Sequence, residues 1–218
     1  MANVCENSEY IFGPKDQMLK LYDIFDELFT KDKNSDKNTH GVHSITYIIK
    51  KLGLEDLKLY SRCEIIEYNK DYDEEEDLYI LSFDSYSAWN SMYETWDEIL
   101  RIKFPDCKYA FLSIESGCGI YDIRDPYDRF SVLDYYVNID ISEPAELPAA
   151  ICEALDNCGN KNTSIYDSWS ESDVRKFVKD LCLVEKDIPT EDLLKLVEEW
   201  NESHEGIYVS IHPYQWIE

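Results

Sequence analysis

Apolar positions change their period at Gly13-Pro14. Before that pair, Ser8-Glu9-Tyr10-Ile11-Phe12 reads as a short strand, and the pair itself supplies a turn and a rigid helix entry. From Asp16 onward Met18, Leu19, Leu21, Tyr22, Ile24, Phe25, Leu28 and Phe29 recur at spacings of three and four, which predicts an amphipathic helix ending near Thr30. Residues 31–41 are polar without period and predict a loop, followed by a short helix over Ser44–Leu52 that stops at Gly53. Leu57–Tyr68 and Leu78–Phe83 carry strand residues on either side of an acidic turn, residues 71–77. A helix is expected from Ser87 to Phe104, with Trp89, Met92, Trp96, Ile99 and Leu100 on its apolar side and Pro105 as its stop. Cys107–Glu115 and Ile120–Ile123 then read as a hairpin around Ser116-Gly117-Cys118-Gly119, and Val132–Ile141 as a further strand.

Past Ser142-Glu143-Pro144 the pattern becomes mainly helical. Helices are expected over Leu147–Leu155, Ser170–Leu183 and Thr190–Trp200, with a closing strand over Gly206–His212. Ser170 stands where a helix cap belongs, and Asp173 suits the positive end of that helix. The expected organisation is an α+β domain over residues 1–144 and a helical C-terminal region with a terminal strand over residues 145–218.

Composition changes this picture through charge. The 218 residues hold 46 acidic against 21 basic side chains, a net charge of −25, while 44% apolar residues leave ample material for a core. Direct nucleic-acid binding is disfavoured, because phosphate contacts need Lys and Arg to displace counterions. A field of this sign attracts basic surfaces and speeds encounter with them. The acidity is distributed: residues 145–218 alone hold 16 acidic and 6 basic residues. Seven Cys without a Cys-x-x-Cys pair argue for reduced, mostly buried thiols. No basic leader followed by an apolar run opens the sequence, and no stretch of about 18 apolar residues occurs, which predicts a cytoplasmic, unanchored protein.

Chemistry is sparse. His40 and His43 have a spacing that suits a metal, yet no thiol or carboxylate joins them at a recognised interval, so neither metal nor cofactor is expected. Cys118 lies in a Gly-Cys-Gly run that a hairpin turn explains without invoking a nucleophile. The dense acidic turn carries more information: Asp71, Asp73, Glu74, Glu75, Glu76 and Asp77, interrupted only by Tyr72. Carboxylates that close repel one another unless something basic compensates. Glu198, Glu199 and Glu202 form a second acidic stretch on the last helix, while Arg175, Lys176 and Lys179 read as a local basic patch. Tyr72, Trp169 and Trp216 are candidate aromatic anchors.

The opening Met-Ala-Asn-Val-Cys-Glu-Asn, the strand that follows, and the helix entry Gly13-Pro14-Lys15 resemble the start of the YubB-like ferredoxin-like domain family of phages, plasmids and other mobile elements. Val4 stands where the family usually has Trp. The likeness continues through Ile80-Leu81-Ser82-Phe83-Asp84, Trp89, Lys103-Phe104-Pro105 and Glu115-Ser116-Gly117-Cys118-Gly119, over roughly residues 1–125. It implies a split βαβ sheet with helices on one face, and it implies no chemistry.

Together, acidity and resemblance point to a non-catalytic protein that imitates a nucleic acid. Such a protein would inhibit a basic, nucleic-acid-binding host defence protein, such as a CRISPR effector or a restriction enzyme, acting as monomer or homodimer. The competing expectation is an accessory or scaffold protein whose acidity serves solubility only. An enzyme built on Cys118 or His43 ranks last. The acidic loop tip is expected to tolerate substitution without loss of fold.

Overall fold

Alternation along β1 (Val4–Gly13) sends Cys5, Asn7, Glu9 and Ile11 to one face and Glu6, Ser8, Tyr10 and Phe12 to the other. The computed structural model describes residues 3–30, 43–130, 133–141, 149–157, 166–204 and 206–217. The expected loop at 31–41, with His40, lies outside them. The contacts divide the chain into two compact units: Met1–Arg129 with Gln215–Glu218, and Phe130–Tyr214.

In the first unit Gly13 is set by close approach, since a Cβ there would lie 2.4 Å from Cys107 Sγ. The Pro14 carbonyl then accepts the Gln17 and Met18 N–H groups and opens α1 (Lys15–Thr30), which buries Met18, Leu21, Tyr22, Ile24, Phe25 and Leu28. Ser44 caps α2 (Ile45–Lys51) by accepting the Thr46 N–H. The hairpin β2 (Cys63–Asp73) and β3 (Leu78–Ala88), then α3 (Tyr93–Lys103), β4 (Lys108–Glu115) and β5 (Ile120–Arg124), complete an antiparallel sheet in the order β2-β3-β1-β4-β5. The three helices cover one face of it. There the rings of Phe25, Phe83, Trp96 and Tyr109 pack with centroids 5.2 to 6.3 Å apart.

β2 is shifted towards the turn, with Leu57 in a short 3-10 turn ahead of it, while β3 runs further than expected and α3 starts later. β3 continues to Ala88, and Trp89, expected on the apolar side of a helix, is instead a half-exposed residue with φ of 73° between strand and helix. The inward positions of β3 past Phe83 are Ser85 and Ser87, so the polar end of the strand hid its period.

The strand expected at the end of the first domain belongs to the second unit. β6 (Tyr135–Ile141) is the centre of a three-stranded antiparallel sheet, flanked by β7 (Tyr166–Trp169) and β8 (Ile207–Pro213). The boundary therefore falls after Arg129, not at Pro144, and the C-terminal region is a mixed α+β unit with its own sheet. Helices α4 (Ala149–Asn157), α5 (Glu171–Leu181) and α6 (Thr190–Glu202) close a core of Val137, Ile139, Ile151, Phe177, Leu193, Val197 and Val209. Ser170 caps α5 as expected, accepting the Asp173 N–H. The chain finally returns to the first unit, where β9 (Gln215–Trp216) adds a sixth strand parallel to β5. None of the described helices is long and apolar enough to cross a membrane.

Candidate partner-binding surface

The acidic turn divides into structural and free carboxylates. Asp73 accepts the N–H groups of Glu75 and Glu76 at 3.0 and 3.2 Å and pairs with Arg129 at 2.7 Å, which holds its carboxyl below the usual range. Asp77 sits at φ of 51° and accepts the Tyr72 hydroxyl at 2.6 Å, and Asp71 accepts the Tyr72 N–H. Glu74, Glu75 and Glu76 form the exposed tip. Within the tip, Asp73 thus makes contacts that hold the turn, whereas Glu74, Glu75 and Glu76 are exposed.

Below the tip, the sheet face away from the helices carries more acid. Strand register places Glu67 directly opposite Asp84, Asp84 opposite Ser8, and Glu6 opposite both Tyr86 and Ile114. Ser8 Oγ donates to Asp84 Oδ1 at 2.9 Å and orients that carboxylate. These side chains, with Ile66, Leu112 and Ile114, line a groove of ≈ 380 Å³. A second of ≈ 420 Å³, lined by Ser8, Tyr10, Glu67, Asn69, Ser82 and Asp84, shares its wall. Ile66 is 41% and Tyr86 47% exposed, and Ile66 marks the bulge where the β2–β3 register shifts. The lining thus combines apolar, aromatic and acidic side chains. Among the described residues no cation pairs with Glu6, Glu67 or Asp84.

The far end of the same face is closed by the chain itself. Tyr127 packs on Phe12 with centroids 4.7 Å apart, and the Arg129 guanidinium lies 5.4 Å from the Phe12 ring while pairing with Asp73. Sequence reasoning missed this face. The signal was there, in Glu6-x-Ser8-x-Tyr10 and Ser82-x-Asp84-x-Tyr86, as polar residues in strict alternation.

The other expected acidic residues stand elsewhere. Glu198, Glu199 and Glu202 are exposed on α6, in the second unit, so the two acidic sets belong to different units. Of the expected basic patch, Lys176 is exposed on α5 and the other two members are held by neighbours. Arg175 donates to Thr190 Oγ1, Asp187 and the Ile188 carbonyl, and Lys179 also donates to Asp187. Trp169, a candidate anchor, is buried against Phe177, whereas Tyr72 and Trp216 are exposed.

Groups considered for chemistry do not converge. His43 stacks on Phe29 with centroids 4.0 Å apart, and Cys118 sits at a hairpin tip where its N–H and that of Gly117 donate to the Glu115 carboxylate. Cys5 and Cys107 are buried thiols pushed up to about 12 by desolvation. Among the described residues no three His, Cys, Asp or Glu side chains are grouped to hold a metal ion. Among the described residues the carboxyl raised furthest is that of Glu9, sealed beneath the helices, where burial raises it to about 7 against hydrogen bonds from Ser85 and Tyr109. No family model, no curated protein and no solved structure matches this chain.

Proposed function

We propose that this chain is a non-catalytic, acidic binding protein that presents the open sheet face of its first unit, with the Glu74–Glu76 tip, to a basic protein surface. In this reading it occupies the nucleic-acid groove of a host defence protein and so inhibits it, its carboxylates standing where phosphate oxygens would bind. The observation that carries the proposal is the opposed pair Glu67 and Asp84, with Glu6 one row away. Two charges about 5 Å apart repel by roughly 0.8 kcal/mol even in water, and a like pair directly across a sheet is destabilising. A basic partner turns that cost into attraction.

The element order β1-α1-β2-β3-α3-β4 with strand order β2-β3-β1-β4 follows the split βαβ pattern, with α2 and β5 as additions. This supports a ferredoxin-like reading of the first unit and, with the opening motif, a mobile-element origin of the kind seen in the YubB-like family.

The test is a pull-down from host lysate after nuclease treatment, washed at ~0.1 M and then ~1 M salt, over which the screening length falls from about 10 Å to about 3 Å. Capture of a nucleic-acid-handling protein that is lost at the higher salt, and lost when Glu67 and Asp84 are changed together to Lys, is the expected result. Retention by the Lys variant, or capture only of salt-insensitive partners, removes the proposal. Neutralising Glu74, Glu75 and Glu76 to Gln while keeping Asp73 tests the tip separately without dismantling the turn.

A further inference from the structure

The second unit leaves its seven-residue strand β8 at the margin of its sheet. β8 pairs with β6 on one side and, among the described residues, has no strand on the other. Its sequence, Ile207-Tyr208-Val209-Ser210-Ile211-His212-Pro213, holds no Lys, Arg, Asp or Glu, although 31% of the whole chain is charged. An edge without charge is a template for a strand from another molecule.

The backbone groups of alternate residues in an antiparallel strand point to opposite sides. Val209 lies across from Ile139 and turns its N–H and C=O away from β6, so those of Ile207 and Ile211 turn the same way. Two copies of β8 running antiparallel about a two-fold axis use all three residues in a single register. Val209 then meets its own equivalent, and Ile207 meets the equivalent of Ile211, each pair exchanging two hydrogen bonds.

Asn201 occupies the centre of that register. Its Nδ2 donates to the Val209 carbonyl and its Oδ1 accepts the Val209 N–H, both at 2.8 Å, so one side-chain amide does what a neighbouring strand residue would. Leu193, Val197 and Asn201 follow one another at four-residue spacing along α6, and the first two are buried in the core. The third place on this inward stripe holds an amide, and the Val209 backbone accounts for it. Beside it the edge is held loosely, since the Ile207 N–H reaches the His204 carbonyl only at 3.4 Å.

We infer that Asn201 is an edge guard: its amide closes the central pairing position of β8 and keeps two copies of this chain from joining through that edge. The inference is independent of the acidic face of the first unit.

The test is the mass of the full chain in solution, measured by light scattering over a concentration series. At concentrations where the parent holds a constant mass, Asn201→Ala is expected to move towards twice that mass. The shift should grow at ~0.5 M salt, which screens the repulsion between two chains of net charge −25. Adding Ile211→Pro removes an outward N–H at a place where an edge strand tolerates proline, and is expected to restore the parent mass. Asn201→Ser, whose short hydroxyl cannot bridge both backbone groups, is read alongside Asn201→Ala, and circular dichroism checks that each folds. A folded variant that keeps the parent mass throughout overturns the inference. Association that Ile211→Pro leaves untouched overturns it too, since it runs through another surface. Unfolding of both Asn201 variants also overturns it, because the amide would then hold the fold itself and not guard its edge.

Discussion

Glu9 is the residue whose environment departs furthest from what its type prefers. It lies 1% exposed between Ser85 and Tyr109, both of which donate to it. Its folded pKa of about 7 stands above the ordinary value of 4.5. Below pH 4.5 the carboxyl is protonated in both states and contributes no pH dependence. As pH rises from there through about 7, the folded chain keeps a proton that the unfolded chain releases, so stability falls, by ~3 kcal/mol in all. Glu9→Gln should match the parent near pH 4.5 and exceed it increasingly up to pH 8 in urea unfolding. A constant difference between the two across that range would sink the assignment. None of this is legible in the sequence, where Glu9 is one carboxylate among 46. Its burial follows from alternation with Ile11 on a central strand. At the same scale Asp73 and Glu74 look equivalent as text, and only the turn's backbone donors separate a structural carboxylate from a free one.

Elements were read best where apolar residues alone decide the period. The helix from Asp16 to Thr30 and the hairpin around Gly117 lie close to their expected places, since Leu, Ile and Phe mark the inward face of one and Gly punctuates the other. The reading failed at β3, where Ser85 and Ser87 face inward to meet Asn7, whose side-chain amide donates to both hydroxyls. A polar network inside a core erases the hydrophobic pattern that announces a strand. The end of α5 carries an opposite mismatch. Val184 N–H bonds to the Lys179 carbonyl and Leu183 N–H to that of Asp180, the paired geometry in which glycine usually takes the left-handed position. Here that position is Leu183, at φ of 55° and 88% exposed. Leu183→Gly should therefore stabilise the second unit by about 1 kcal/mol, read as a higher urea midpoint with unchanged slope. A lower midpoint would mean that the leucine makes contacts the fold needs.

At the scale of the whole molecule, the charge and the two cores set the behaviour. A net charge of −25 on 218 residues opposes compaction, and salt screens that repulsion. Raising sodium chloride from ~0.05 to ~0.5 M should increase the midpoint of thermal unfolding, the reverse of the weakening expected for partner binding over the same range. A midpoint that falls with salt would show that ion pairs such as Arg124–Asp97 outweigh the repulsion. The division into units was misplaced in the sequence because Ser142-Glu143-Pro144 has the composition of a boundary. What decides the matter is pairing, and β6 finds both of its partners, β7 and β8, later in the chain.

That the first unit is completed only by Gln215–Trp216 has a consequence in time. A ribosome delivers the chain from its N-terminus at ≈ 5–20 residues per second, so the residues between Arg124 and Gln215 take about 4–18 seconds to appear. Throughout that interval β5 has emerged while its parallel neighbour does not yet exist, and its outer hydrogen-bonding edge has no strand to receive it. The nascent protein therefore passes through a stage in which β5 is an edge strand. That edge is covered once Gln215 and Trp216 have been made.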